Sequence, residues 1–281
     1  MQDFLIEHHT ILYSISYFGA IVFLLFAEDI WPTRRLQFSI RKRWFSNVSL
    51  GIINGVLGHW FVPIFSILTA AYLAKFQWGL MPYLDFSYWP TLIISILAYD
   101  FMRYASHYLF HRIPLLWRLH RVHHTDLDVD FTTQFRNHPL QIILGVCITL
   151  SFVAILSPPP EAVIVNEVLF AGVAFLNHGN WSLPAPVEKV ARLLITTPDV
   201  HRIHHSTVEK ESLSNYGALF TLFDRLFGTF VEQPEKGHHA IELGVKGMLH
   251  EEKLELTNML KDPFSAVGEN SNTDDLNSTS K

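Results

Sequence analysis

The apolar residues of this chain come mostly in long uncharged runs instead of recurring on one narrow stripe. Residues 10–27 carry no charge, and about 20 apolar residues are enough to cross a bilayer core, so this run predicts a first membrane span that ends at Glu28 and Asp29. A second run, 44–74, is longer than one perpendicular crossing needs and is interrupted by Gly51, Gly55, Gly58 and Pro63. It predicts a tilted or kinked span, or a span plus an interfacial turn. The third run is 86–99. The fourth and fifth, 140–156 and 162–177, are joined by Ser-Pro-Pro-Pro-Glu, which cannot continue a helix, so they predict a hairpin that crosses and returns, or a re-entrant pair. The fold class expected is all-α: an integral membrane helical bundle of about four to five apolar segments.

The third run passes without a break into residues 100–124, DFMRYASHYLFHRIPLLWRLHRVHH, which hold five of the sixteen histidines. At a helical period Asp100, Tyr104, His107 and His111 share one face. Pro114 breaks or restarts the helix, after which His120, His123 and His124 are again helical neighbours, and His201, His204 and His205 repeat that pattern. A single histidine on an apolar face is usually a hydrogen-bonded core residue. Eight at matched helical spacings would be electrostatically costly unless something holds them neutral and oriented, and a bound metal does that. One structural zinc takes about four ligands, so eight imidazoles suit two metals in a histidine-rich dimetal site. Imidazole alone does not choose among zinc, copper, iron and nickel. A zinc-protease motif is excluded, because Tyr108 stands where HExxH needs its glutamate.

These residues resemble a family. The ordered run from Asp100 through His124, Arg136-Asn-His138-Pro, His201 to Ser206, Asn215-Tyr-Gly217 and Asp224 to Thr229 is similar to the fatty acid hydroxylase/sterol desaturase superfamily over about residues 93–230. The resemblance implies a membrane-embedded oxygenase with two non-haem iron ions that uses O2 to hydroxylate or desaturate a lipid such as a fatty acyl chain, sterol or alkylglycerol. Its three histidine boxes map onto His107 and His111, onto His120, His123 and His124, and onto His201, His204 and His205. His178 is the candidate for the further ligand that the family carries before its last box, and no second histidine lies within a helical turn of it. The chain has no glycine-rich phosphate loop and no haem or iron–sulfur motif, so the resemblance implies a separate electron-donor protein. A membrane metal-binding or metal-transport protein is the alternative reading. It would need polar ligands along the membrane path, where only His59 and Glu167 stand.

Composition adds the setting. At 49% hydrophobic and 14% aromatic the chain is too apolar for an ordinary soluble domain, and a net charge of −5 gives no sign of nucleic acid as a partner. The acidic N-terminus is unlike a cleavable signal peptide, so the first run reads as a retained span among membrane lipids. Arg34, Arg35, Arg41, Lys42 and Arg43 form a basic loop, which places it and the arginine-rich histidine boxes on the cytoplasmic face of a bacterial inner membrane or the endoplasmic reticulum. A cytoplasmic helical cap would then hold the metals. The division expected is 1–92 for the first spans and basic loop, 93–232 for the catalytic domain with membrane hairpin 140–177, and 233–281 for a C-terminal extension with a disordered tail from Pro263.

Several residues carry smaller expectations. Asp126, Asp128 and Asp130 do not share a helical face and read as a solvated acidic loop, with ligation by one of them the other reading. Asp100 is either support for His107 or a salt bridge to Arg103, and Glu167 a hydrogen-bonded helix contact. Cys147 reads as a packing residue, His238 and His239 as exposed, residues 177–186 as a lid over the site, and Asn215, Tyr216, Gly217, Asp224 and Arg225 as braces for the ligand helices.

Overall fold

The longest uncharged run is not one helix. In the computed structural model, which describes residues 2–58 and 61–265, it divides into α2 (Ile40–Val56) and α3 (Val62–Ala74), preceded by α1 (Gln2–Ile30). The break passes through Gly58, whose φ of +111° is left-handed backbone that glycine adopts without strain. The reason for the division is polar: α2 buries Arg43, Ser46, Asn47 and Asn54, groups that pack against protein partners and not against lipid. His59 lies outside the described residues, as does the tail from residue 266.

The chain continues through α4 (Leu80–Leu84), α5 (Tyr88–Arg112), α6 (Pro114–His124), α7 (Pro139–Leu156) and α8 (Pro160–His178). Short helices α9 (Ala185–Ala191), α10 (Pro198–His204), α11 (Glu209–Ser212), α12 (Leu222–Phe227) and α13 (Leu256–Lys261) complete it. Among the described residues there is no strand, only the isolated bridges Ile195 to Phe220 and Ser206 to Leu243. Three helices are long and apolar enough to cross a membrane, at Asp3–Ile30, Pro139–Leu156 and Pro160–His178, and α3 is a shorter apolar helix. The expected hairpin is therefore α7 and α8, with Pro160 in the first turn of α8 where its missing N–H costs nothing. The third apolar run is the first half of α5, a single 25-residue helix that ends in the first histidine pair.

Helix α8 is central, the most buried of the three candidate spans, while α1 and α7 turn most of their apolar side chains outward, as a surrounding bilayer would require. Helices α1 and α8 run side by side in the same direction. Ser16 Oγ donates to Val168 O at 2.6 Å, Tyr17 packs edge-on to Phe175, and a Cβ on Gly172 would meet Ser16 Oγ at 2.6 Å. Helix α5 is pinned to α8 by Arg103, which pairs with Glu167 Oε1 at 3.1 Å and Asn166 Oδ1 at 3.1 Å. Cys147 is exposed on α7 and does not pack.

The acidic loop after the second histidine box is not solvated. Asp126 takes a two-pronged ion pair from Arg43 (2.8 and 3.0 Å) and further bonds from Asn47 and Thr133, while Asp130 accepts from Arg43 and from Trp44 Nε1. Asp128 accepts the backbone N–H groups of Gln37 and Phe38. Arg43 accordingly belongs to the interior, leaving Arg35, Arg41 and Lys42 as the exposed cations of that loop. Arg43 holds Asp126 below the usual carboxylate range, against the upward push of burial. Nor does the loop after α8 act as a lid: Glu28 Oε1 accepts Asn180 N and Phe131 N, and Asn180 bonds Arg34 through both its side-chain oxygen and its amide, so the loop is clamped to the end of α1.

Because Arg43, Asp126 and Asp130 have fully buried side chains, removing one partner strands the others without solvent. Arg43→Met is expected to cost about 3–5 kcal/mol, read as a lowered thermal unfolding midpoint, whereas Arg41→Met on the surface should leave the midpoint unchanged.

Candidate metal centre

Three helices and one helix end bring the histidines together. Helix α5 supplies His107 and His111 one turn apart, α6 supplies His120, His123 and His124, and α10 supplies His201 and His204, with His205 as its C-cap. His178, the last residue of α8, joins them. The result is two adjacent groups, His107, His111, His120, His124 and His204 in one and His123, His178, His201 and His205 in the other, with ligand nitrogens within 4.8 Å of one another inside each. All are buried except His107, which is half-buried. The groups touch where His124 stacks on His205, ring centroids 4.5 Å apart. His138 is in neither; it caps α7 by accepting Leu140 N.

The nitrogens that face inward can be told from their outer partners. His107 Nδ1 lies 3.0 Å from Tyr216 O, His178 Nδ1 2.6 Å from Ala174 O and His204 Nδ1 2.7 Å from Ser214 O. A carbonyl oxygen only accepts, so each of these Nδ1 atoms carries the proton and each Nε2 presents a lone pair inward. His120 Nδ1 lies 3.3 Å from Gln141 Oε1, which sets the same polarity. Inside the groups, Nε2 atoms of His107 and His120, His120 and His124, His123 and His178, His178 and His201, and His201 and His205 stand 2.9–3.3 Å apart.

Those spacings and the leftover atoms fit metal. With metal–imidazole bonds of about 2.0–2.1 Å, ligand nitrogens on one ion fall roughly 2.8–3.4 Å apart between right-angled and tetrahedral arrangements. His204 Nε2 and both nitrogens of His111 are buried with no hydrogen-bond partner. A buried unpartnered nitrogen is costly unless a ligand completes it. Burial, reinforced by neighbouring imidazoles, holds His111, His120, His123, His124, His201, His204 and His205 well below the usual histidine range, and burial brings His107 down to about 4. The neutral form is the one that ligates.

The surrounding loops brace these groups. Asp224 accepts Tyr216 N, Gly217 N and Thr229 Oγ1. Burial pushes its carboxyl up to about 6. A Cβ on Gly217 would lie 2.3 Å from Phe220 O, so only glycine fits that close approach. Asp100 neither supports His107 nor pairs with Arg103: its Oδ1 accepts Leu219 N at 3.0 Å, tying α5 to the same loop, because Arg103 is directed toward α8. His238 is half-buried, 3.9 Å from Asp199, and His239 alone of the two is exposed. The outer partners Ala174 O, Ser214 O and Tyr216 O are backbone atoms, for which no residue type is a signal. Gln141, one turn beyond the Asn-His-Pro motif, had a signal in that motif's position.

A cavity of about 300 Å³ reaches these groups. His107, His120, His123, His178 and His201 line one end, and Met102, Phe110, Ile142, Val146, Phe170 and Phe175 supply apolar wall from α5, α7 and α8. The arrangement is that of a helical membrane protein with two adjoining all-histidine sites at the end of an apolar cavity. Residues 92–229 match the fatty acid hydroxylase family, and over this stretch the chain is similar to it. Among curated relatives, an ornithine lipid hydroxylase of Rhizobium tropici is 27% identical over 64% of this chain and 53% of its own length. Alkylglycerol monooxygenases of Caenorhabditis elegans (29% identical, 50% of this chain, 27% of the relative) and Homo sapiens (28%, 52% and 32%) also match. The chain thus spans about half the length of the first and a third or less of the other two. No solved structure matches it.

Imidazoles held neutral by burial make the metal-free protein acid-labile. Their native values lie below the unfolded value of 6.5 and reach about 4 for His107, so between these limits the unfolded chain binds more protons and stability falls as pH falls. A thermal unfolding midpoint that drops steeply between pH 6.5 and 4, with bound metal released over the same interval, is expected; a midpoint flat across it would contradict the burial of these groups.

Proposed function

We propose that the protein is a membrane-bound, O2-dependent lipid hydroxylase with two non-haem irons. The observation that carries this reading is the convergence of nine histidines into two adjoining groups that close one end of an apolar cavity. His107, His111, His120, His124 and His204 would hold one iron, and His123, His178, His201 and His205 the other. Five imidazoles exceed the closed tetrahedron of structural zinc, and imidazole suits iron. Bound iron supplies the O2 activation and C–H oxidation that no side chain here can perform.

The chain's own residues do the remaining work. Carbonyls of Ala174, Ser214 and Tyr216 keep Nδ1 protonated and Nε2 aimed inward, which fixes the ligands before metal arrives. The apolar wall orients a lipid against the histidines and excludes water from them. In hydroxylation one atom of O2 enters a C–H bond and the other leaves as water, with two electrons and two protons delivered through a separate donor protein. The names of the relatives support a lipid substrate, such as a fatty acyl chain, sterol or alkylglycerol; desaturation of such a chain would use the same groups.

The cytoplasmic orientation is supported by the basic loop: Arg34 N donates to Asn180 Oδ1 two residues beyond His178, so the loop cations and the histidines share one end of the bundle. We assign residues 1–92 to the first membrane segments, 93–232 to the catalytic domain and 233–281 to an extension.

His120→Ala and His204→Ala proteins are expected to lose most of their iron, measured by inductively coupled plasma mass spectrometry, together with lipid oxidation, while His239→Ala retains both. Full iron in the first two would overturn the assignment. A cysteine placed at Arg35 should be labelled by a membrane-impermeant maleimide only from the cytoplasmic side, and labelling only from the opposite side would overturn the orientation.

A further inference from the structure

Deeper among the helices the same cavity holds a second polar feature that metal binding does not use. Arg103, Glu167 and Tyr13 line it together with His107 and His178. Arg103 pairs with Glu167 and Asn166 at 3.1 Å each, and its guanidinium lies 4.1 Å from the Phe170 ring centroid and 4.8 Å from that of Tyr99. Taking an ion pair out of water is expensive, and ionisable groups at membrane depth mark functional sites more often than structural ones. Pinning α5 to α8 would account for the pair if it faced only protein. It faces the cavity, however, and a guanidinium has five N–H donors, of which these bonds use two.

Beyond the pair is a second, mostly apolar chamber of about 190 Å³, walled by Phe61, Ile64, Ile67 and Ile164 with His9 and Thr10 at its edge, and sharing Tyr13, Pro63 and Glu167 with the first. The two cavities adjoin at these residues, so the order inward is histidines at the helix ends, an ion pair, and a mostly apolar chamber. Arg103 stands four residues before His107, about 6 Å along α5, and Glu167 eleven before His178, about 16 Å along α8. A bilayer lipid presents its parts in the same order: headgroup at the interface, a neutral ester or amide linkage beneath it, then tail. The pair as a whole is uncharged, so it suits a neutral carbonyl linkage, which Arg103 can donate to. A free carboxylate would face Glu167.

We infer that Arg103 and Glu167 bind the ester or amide linkage of the substrate lipid with its tail in the second chamber, so that the carbon oxidised lies on the headgroup side of that linkage. The inference rests on the lipid-oxidising reading above. Its reaction is unchanged: a C–H bond on the headgroup side becomes C–OH, the other oxygen atom leaves as water, and the electrons come from the donor protein. Arg103 and Glu167 are positioning and specificity residues in this scheme and touch no reacting atom.

The test uses the iron-loaded full chain in lipid nanodiscs with three probes of equal chain length: an N-acyl amino acid amide, the free fatty acid and the alkane. Binding is followed by quenching of intrinsic tryptophan fluorescence, and product by mass spectrometry. The wild type should bind the amide about tenfold more tightly than the alkane, the effect of one hydrogen bond to a charged group, with the free acid below the amide. In Arg103→Met/Glu167→Leu, which removes both charges together, that preference should largely vanish at unchanged iron content. If the double variant retains iron and the preference, the anchor is overturned. If it loses iron, the wild-type order decides, and an alkane bound as tightly as the amide overturns the proposal. Oxygen found on the acyl tail overturns the headgroup-side assignment. Absence of oxidation in protein holding both irons, supplied with O2 and electrons, would sink the lipid-oxidising reading instead, while the binding order still tests the anchor.

Discussion

Nine imidazoles gathered within a few ångströms of one another in a dry interior cannot carry their charges, and much of the fold answers that constraint. Burial alone would keep them neutral but would leave each ring free to choose which nitrogen holds the proton. For His107, His204 and His178 the choice is made from outside the groups, by carbonyl oxygens at Tyr216, Ser214 and Ala174 that accept only from a protonated Nδ1. Those carbonyls must themselves be held. Asp224 grips the backbone at Tyr216 and Gly217, Asp100 grips it at Leu219, and Asn215 bonds Val200 O and Val231 O from a left-handed conformation that asparagine tolerates. Burial thus keeps the rings neutral, and a shell of carboxylates and amides one layer further out holds the carbonyls that orient three of them.

The same logic explains why a buried arginine sits beside the second histidine box. His123 and His124 end α6, and the chain must turn at once to bring α7 back toward the membrane. The turn contains three carboxylates in five residues, of which Asp128 is met by backbone N–H groups while Asp126 and Asp130 are buried against a compensating cation. Arg43 supplies it from α2, and Arg136 closes the other side through Val122 O, Thr125 and Asn47. Burial lowers the Arg136 guanidinium to about 10, still well above neutrality, so it remains a cation and helps hold Asp126 ionised. Helix α2, apolar enough in sequence to read as membrane, is consequently part of the support for the histidines.

What the sequence made legible follows from the range of the interactions involved. The HxxxH and HxxHH spacings are one-turn relations, so helix geometry alone put those eight histidines on common faces, and the proline at 114 marked the restart between them. The hairpin at 157–161 was legible for a similar local reason. His178 was reachable only through family resemblance, since its partners His123 and His201 are 55 and 23 residues away. Asp126, Asp128 and Asp130 escape a local reading because the partners that bury them lie 83 to 91 positions upstream, and no local period reveals such a pairing. Asp100 is illegible for the same reason: its neighbours on the helix point to His107 or Arg103, while its partner is a backbone N–H on a distant loop.

The two histidine groups are not equally placed with respect to the cavity, and this bears on what the cavity can admit. His107 and His120 of the five-membered group and His123, His178 and His201 of the four-membered group form its end wall, whereas His111, His124, His204 and His205 do not line it. Both prospective metals would therefore face the cavity across a single wall, backed by imidazoles on the far side. A transport protein requires polar groups continued along the way in and out of its site. Here the route inward passes the Arg103–Glu167 ion pair and enters a chamber whose wall is mostly apolar, with His9 and Thr10 among its lining. Glu167, the one carboxylate lining both cavities, is already paired with Arg103, whereas the mostly apolar walls suit a lipid chain, so the polarity of the path favours the oxidation of a lipid over the passage of a cation.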